Sequence, residues 1–387
     1  MKWIPWEYGL RNLGRSPLRA ALTALGAMLV VGLILAAGSF LAGIERQLAS
    51  TGDEGNILII GKSSQESMLR SEIPLKLDTV ARGDITGIQE RFGVQYVSPE
   101  ILFMPALKLT KKDYKSHQMI LRGVVPAAAL VHPKVRVVEG RFPAGGDELM
   151  IGALTPVQLQ TTHERLAIGE KLYFDDNAWT IVGKFEAPGT VFETEMWAPM
   201  TSLKAASKRE GISTLVVSAD ADGLSDAKMM AGRLINDEIV AMTEKEYYAN
   251  TGKFYEPIRI MVWATAGLIA MGALLGGLNT MYAAFAARVR EMATLQVLGY
   301  SRVAVAVSLL QESLLATAAG GLIACGLGKL FLDGTAVRFS TGAITLNVDA
   351  SAILIALLAG ILLGIAGALL PAWRCLRRPI PDALRAA

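Results

Sequence analysis

One ionisable side chain interrupts an apolar run: Glu312, with Gln311 beside it, stands in the stretch 303–328, which holds no other charge. A carboxylate that relays protons or ions in such a setting usually has a charged partner inside another span; without one, a hydrogen bond inside the helix bundle is the simpler role. No Lys, Arg, Asp, Glu or His lies inside the other long apolar runs, and Asn279 is the polar neighbour they offer. A structural hydrogen bond within the bundle is therefore favoured over a relay. The histidines His117, His132 and His163 show no metal-ligand spacing such as H-E-x-x-H. Carboxylates are scattered between residues 45 and 256 with no pairing legible in their spacing, and each reads as a solvated surface charge. Gly61-Lys62-Ser63 ends like a phosphate-binding loop. That motif needs a glycine five positions before Gly61, where Asn56 stands; Gly55 falls one place too early, and 57–60 are apolar. These residues predict no catalytic, cofactor or metal site, and any ATP must be bound by another chain.

The elements that hold these residues follow from hydropathy. Hydrophobic residues make up 52% of the chain and charged ones 19%, below the ~25% of soluble domains. A helix needs about 20 apolar residues to cross roughly 30 Å of hydrocarbon. The runs 20–44, 260–287 and 350–373 contain no charge, and 303–328 contains only Glu312. The expected fold is a membrane α-helical one, with four transmembrane helices and an extracytoplasmic α+β domain inserted between helices 1 and 2. The segments are a cytoplasmic amphipathic helix 1–19, spans 20–44, 257–287, 303–328 and 350–373, the outer domain 45–256, a cytoplasmic helix 288–302, an external loop 329–349 and a cytoplasmic tail 374–387.

Orientation follows from the basic residues that mark cytoplasmic flanks. Lys2, Arg11, Arg15 and Arg19 precede the first span, Arg288, Arg290 and Arg302 lie between the second and third, and Arg374, Arg377, Arg378 and Arg385 follow the fourth. The 45–256 segment has a net charge of −5 and the rest of the chain +8. The overall excess of base is a membrane-flank effect and not a nucleic-acid footprint. The first apolar run is too long for a signal-peptide core and its basic segment too extended, so it reads as an uncleaved anchor. The outer domain has no cysteine; Cys325 and Cys375 lie in and just after spans.

Within the outer domain 56–60, 179–182 and 215–217 read as strands, and 84–91 and 225–239 as helices. Gly272 and Gly276 in span two, and Gly360 and Gly364 in span four, have the small-xxx-small spacing of close helix contacts, within the chain or in a dimer. On the 288–302 segment Val289, Met292, Leu295 and Leu298 recur every third residue, an amphipathic helix suited to a partner's groove.

Three cytoplasmic segments carry a family signature: Leu10-Arg11-Asn12-Leu13-Gly14-Arg15-Ser16-Pro17-Leu18-Arg19; Arg288-Val289-Arg290-Glu291-Met292-Ala293-Thr294-Leu295-Gln296-Val297-Leu298-Gly299; and Pro371-Ala372-Trp373-Arg374 with Pro381-Asp382-Ala383-Leu384-Arg385. With the long insertion after span one, the chain resembles the MacB/FtsX/LolC family of ABC permeases, and Glu139-Gly140-Arg141-Phe142 is similar to a motif of that family's periplasmic core domain. Tyr300 after Gly299 and the extra proline in Pro379-Ile380-Pro381 depart from the pattern and leave the substrate open. The resemblance implies an inner-membrane permease that binds no nucleotide itself. It implies a separate ABC ATPase holding ATP and Mg, a second permease as homo- or heterodimer, and a membrane-fusion protein or lipoprotein carrier as accessory. It makes 288–299 the ATPase-coupling helix, with its apolar ridge, Met292 and Leu295 foremost, seated in the ATPase and Glu291 in a charged contact. Export is the first expectation. Lipoprotein or lipid extraction and control of a cell-wall hydrolase without transport are the others.

Overall fold

The computed structural model describes residues 5–385 apart from 16, 175–176, 340–341 and 378. Lys2, Ser16 and Arg378, and the side chains of Leu10, Arg19 and Arg385, lie outside the described residues. The chain divides into a membrane unit (1–42, 257–335 and 346–387) and an outer unit (43–256 and 336–345).

In the membrane unit an N-terminal helix, Trp6–Arg15, precedes the first span helix, Pro17–Thr51, whose last turns, from Gly43 onward, belong to the outer unit. The other span helices are Glu256–Ala286, Arg302–Phe331 and Ala350–Leu376. All four are long and apolar enough to cross a membrane. Short helices Val289–Val297 and Ile380–Arg385 follow the second and fourth spans. Small residues set the packing of spans one, three and four. A Cβ at Gly360 would come within 2.7 Å of Val31, and one at Gly364 within 2.5 Å of Thr317 Oγ1. Ser313 Oγ also donates to the Gly364 carbonyl at 3.1 Å. The pair in span two is different: a Cβ at Gly272 or Gly276 would meet no described atom within 4 Å.

The outer unit is built on a mixed sheet of strands β1 (Asn56–Gly61), β2 (Val97–Phe103), β3 (Leu121–Val124), β4 (Arg136–Gly140), β5 (Glu148–Gly152), β6 (Lys171–Phe174), β7 (Asn177–Glu186), β8 (Met196–Pro199), β9 (Thr214–Ser218) and β10 (Ile239–Thr243). Their order is β6-β7-β5-β8-β3-β2-β9-β1-β10, with β4 paired to β7. β5–β7 and β3–β8 are parallel and the other pairs antiparallel. Alternate residues face opposite sides of a strand. One face, with Ile57, Ile101, Leu121, Met196 and Leu215, forms the main apolar core beneath the helices Leu77–Asp84, Met200–Ser207 and Gly223–Arg233. The Glu139-Gly140-Arg141-Phe142 motif forms a corner. Gly140 takes φ +77°, a region that favours glycine, and Arg141 turns to ion-pair with Glu148. This guanidinium bond, with help from backbone N–H groups, lowers the Glu148 carboxyl to about 2.

Several expectations are corrected. The helix expected over 84–91 lies at Leu77–Asp84; Ile85 turns extended and Gly87, at φ +68° beside Asp220, continues as loop. The helix expected over 225–239 ends at Arg233, and Ile239 already begins β10. The 329–349 loop folds into a hairpin, Ala336–Phe339 with Gly342–Thr345, which joins the outer unit. Gln47 Nε2 donates to the hairpin's Ala343 carbonyl at 3.1 Å. The carboxylates are not all surface charges: Glu100, Glu195 and Glu244 are buried, together with Arg122 and His132. They come from distant parts of the chain, and only the folded sheet brings them together.

Candidate coupling site

Four elements of the membrane unit meet around Glu312, which is 7% exposed on the third span helix. Arg288 occupies the turn between the second span helix and the short helix Val289–Val297. Its Nη1 donates to Glu312 Oε2 at 2.9 Å, and its Nε to Glu291 Oε2 at 3.1 Å. Asn12, buried on the N-terminal helix, donates from Nδ2 to the same Glu312 oxygen at 2.5 Å. Gly9, one turn earlier, packs on the third span helix: a Cβ there would lie at ordinary contact distance, 3.8–3.9 Å, from Gln311 and the backbone of Ser308 and Glu312. Burial pulls against the charge on Arg288, but the bonds to Glu312 and Glu291 outweigh it and hold the guanidinium above its usual range. A carboxylate taken out of water needs such partners, because leaving it unpaired costs several kcal/mol.

These contacts correct the expected pairing of Glu312. A turn arginine and an N-terminal asparagine bond to it; Asn279 lies on the exposed side of span two. Hydropathy marked Glu312, and the basic flank marked Arg288, but nothing in their spacing joined them. Asn12 was missed as a site residue, and its signal was its place inside the first motif. Arg11 and Arg15 lie exposed on the same helix.

The short helix Val289–Val297 is amphipathic as expected, but its apolar ridge is turned inward at Val289 and Met292, and only Leu298 at its end stays exposed. Val289, Met292 and Ala293 are buried in a core of this chain, with Met281 and Phe285 of span two, Val305 and Leu309 of span three, Ala372 and Leu376 of span four, and Ala383. Leu295 is partly buried against the same core. Periodicity identifies the side of a helix that seeks apolar surroundings, not which molecule supplies them; here the second, third and fourth spans and the C-terminal helix supply them. Met292 is therefore turned away from any partner, whereas Leu295 keeps part of its surface open. The open side carries Arg290, Glu291, Thr294, Val297 and Leu298, the last two each 63% exposed. Gly299 takes φ +93°, where glycine alone is unstrained, and ends the helix; Ser301 Oγ then caps the third span helix by accepting from Ala304 N at 3.2 Å. The last motif packs the same way: Pro371 and Ala372 are buried and Trp373 is exposed, with Arg377 stacked over its ring at 4.2 Å. The site thus offers a rigidly backed surface of one arginine, one carboxylate, a threonine and two apolar side chains. Among the described residues no group of three His, Cys, Asp or Glu is placed to hold a metal.

A model of the MacB-like periplasmic core domain matches residues 20–231, and one of the FtsX-like permease C-terminal region matches 263–380. The uncharacterized ABC transporter permease YknZ of Bacillus subtilis (strain 168) is 21% identical over 389 residues, covering 95% of each chain. The periplasmic region of MacB from Actinobacillus actinomycetemcomitans is similar at 12% identity and a TM-score of 0.38, over 52% of this chain and 94% of that one. The extracellular domain of the noncanonic ABC-type transporter YknZ from Gram-positive bacteria is similar at 15% identity and a TM-score of 0.37, over 49% of this chain and 100% of that one.

Proposed function

Because this chain belongs to the MacB/FtsX-type family of ABC transporter permeases, we propose that it couples ATP hydrolysis by a separate ABC ATPase to movement of its extracytoplasmic domain, in the service of export. The observation that carries this reading is the exposed stripe Arg290, Thr294, Val297 and Leu298 on a helix whose other side is locked into its own bundle. A helix held on one side and open on the other can transmit a push without deforming. The Arg288–Glu312–Asn12 bonds would carry that push to the third span and the N-terminal helix. ATP and Mg stay on the ATPase. A second permease completes the assembly, and we assign its contact to the side of span two that carries Gly272 and Gly276, where this chain leaves the small residues uncovered. The size of the outer domain suits export, with a membrane-fusion protein as accessory, and suits lipoprotein release as well.

The test is co-purification of the full chain from native membranes with its ATPase. Leu298→Asp places a charge in the proposed apolar contact. A loss of about 2.8 kcal/mol would weaken association roughly a hundredfold. The variant is expected to insert and fold normally but to lose the ATPase. Retention of the ATPase at wild-type yield would overturn the assignment of this surface.

A further inference from the structure

The second face of the outer sheet holds a chain of buried charges that the coupling site does not use. Arg122, in the central strand β3, binds Glu195 through two bonds, Nε to Oε2 at 2.6 Å and Nη2 to Oε1 at 2.7 Å. Its Nη1 reaches Glu100 Oε2 on β2 at 2.6 Å. The other Glu100 oxygen meets His132 Nε2 at 2.8 Å and accepts from Ser98 Oγ at 3.0 Å. The other nitrogen of His132 stands 3.9 Å from Glu244 Oε1. Trp197 Nε1 donates to Glu195, and Phe192 lies under both the Arg122 and His132 side chains. All five charged groups are at most 3% exposed.

Both ends of this chain of contacts reach the segments that lead to the membrane helices. Glu195 closes the turn Val191–Thr194, which is gripped by the end of the first span helix. There Thr51 Oγ1 accepts from Val191 N at 2.9 Å, and Gln47 Nε2 donates to the Thr190 carbonyl at 3.2 Å. Glu244 begins the helix Glu244–Phe254, which runs toward the second span. Its carboxylate accepts from Asp53 N at 3.2 Å and from Asn56 Nδ2 at 2.9 Å. The two roots also touch directly, since a Cβ at Gly52 would come within 2.6 Å of Lys245 Cα.

We propose that Glu195, Arg122, Glu100, His132 and Glu244 form an ionic joint that fastens the roots of the first and second span helices to the middle of the outer sheet, with His132 as its protonatable pin. Arg122 and His132 are positioning residues. A well-packed apolar cluster in their place would often be as stable or more so, so the charges are suited to fixing one geometry rather than to adding stability. That the joint passes on motion rests on the coupling reading above; the joint itself does not.

The groups facing His132 are Glu100 from β2, Arg122 from β3 and Glu244 from the root helix, and together they define a pH window. Burial disfavours the imidazolium, but the charge of Glu100 outweighs it, so the folded value of His132 lies above 6.5. Its pairing is then complete below 6.5 and is lost as pH rises through the folded value. Burial raises Glu244 above 4.5, so it too favours the lower side. Burial opposes ionisation of Glu100 as well, but His132 and Arg122 bring it down to about 2, so its contribution is present above 4.5 and lost as pH falls toward 2. The Glu100 and His132 contributions are both complete between 4.5 and 6.5, and the joint loosens on the alkaline side through His132 and Glu244.

The test uses the full chain in nanodiscs, without nucleotide or ATPase, so its failure is separable from failure of the coupling reading. Cys325 and Cys375 are replaced by Ala, and spin labels are placed at Ala49→Cys, on the first-span root, and Ala205→Cys, on a helix over the sheet. A single narrow distance is expected at mildly acidic pH, broadening as pH rises through the His132 titration. In His132→Gln the pH dependence is expected to be lost. In Glu100→Leu/Arg122→Met/Glu195→Leu, the narrow distance is expected to be lost while the chain still unfolds cooperatively. A wild-type distance unchanged across the titration overturns the proposal. So does a folded apolar triple variant as narrow as wild type.

Discussion

Glu312 shows what a single residue can and cannot announce. Its charge inside an apolar run marked it, and the preference for a hydrogen bond over a relay follows from the cost of an unpaired carboxylate there. Asn12 and Arg288, which bond to it, lie 300 and 24 positions away, on the N-terminal helix and in the turn after span two. No periodicity encodes such a meeting. The same holds for Arg122 and its carboxylates in the outer sheet. Removal of one partner tests the pairing at this scale. Arg288→Ala leaves Glu312 buried with a weaker set of donors, and breaking a buried pair from one side costs about 3–5 kcal/mol. The purified variant is expected to unfold at a clearly lower temperature, and Arg288→Ala/Glu312→Gln, which also removes the stranded charge, is expected to recover much of that loss. No recovery in the double variant would show that Arg288 acts by packing alone.

At the scale of the element, the helix Val289–Val297 was legible in its period and in its place between two spans. The side it turns to its own chain was not legible, because the apolar surroundings come from the ends of three spans and from Ala383, beyond the fourth. The boundaries of the helices in 84–91 and 225–239 were misread for a related reason. Turns at Gly87 and Glu238, with positive φ, cut the apolar pattern where the sheet needs a loop. The inward side makes a prediction opposite in kind to that for Leu298. Met292→Asp buries an unpaired carboxylate in the bundle, at a cost of several kcal/mol. It is expected to lower the thermal stability of the isolated chain and its yield from membranes, with Leu298→Asp close to wild type in both. Equal stability of Met292→Asp and wild type would show that this side is open after all.

At the scale of the molecule, hydropathy and basic flanks gave four spans and one inserted domain, since lipid and the cytoplasmic surface impose simple patterns on sequence. The ten-stranded order of the outer sheet, and the capture of the 336–345 hairpin by the outer unit, rest on pairings between distant segments and left no such pattern. The central claim joins the two scales: nucleotide state on a partner ATPase changes the outer domain by way of the helix Val289–Val297. Hydrogen exchange on the reconstituted permease and ATPase, with and without a non-hydrolysable ATP analogue, tests it most directly. The nucleotide is expected to change exchange at residues 43–53 and 244–256 in the wild type, and to leave both segments unchanged in Leu298→Asp. Unaltered exchange there in the wild type, or the same alteration in Leu298→Asp, would contradict the account.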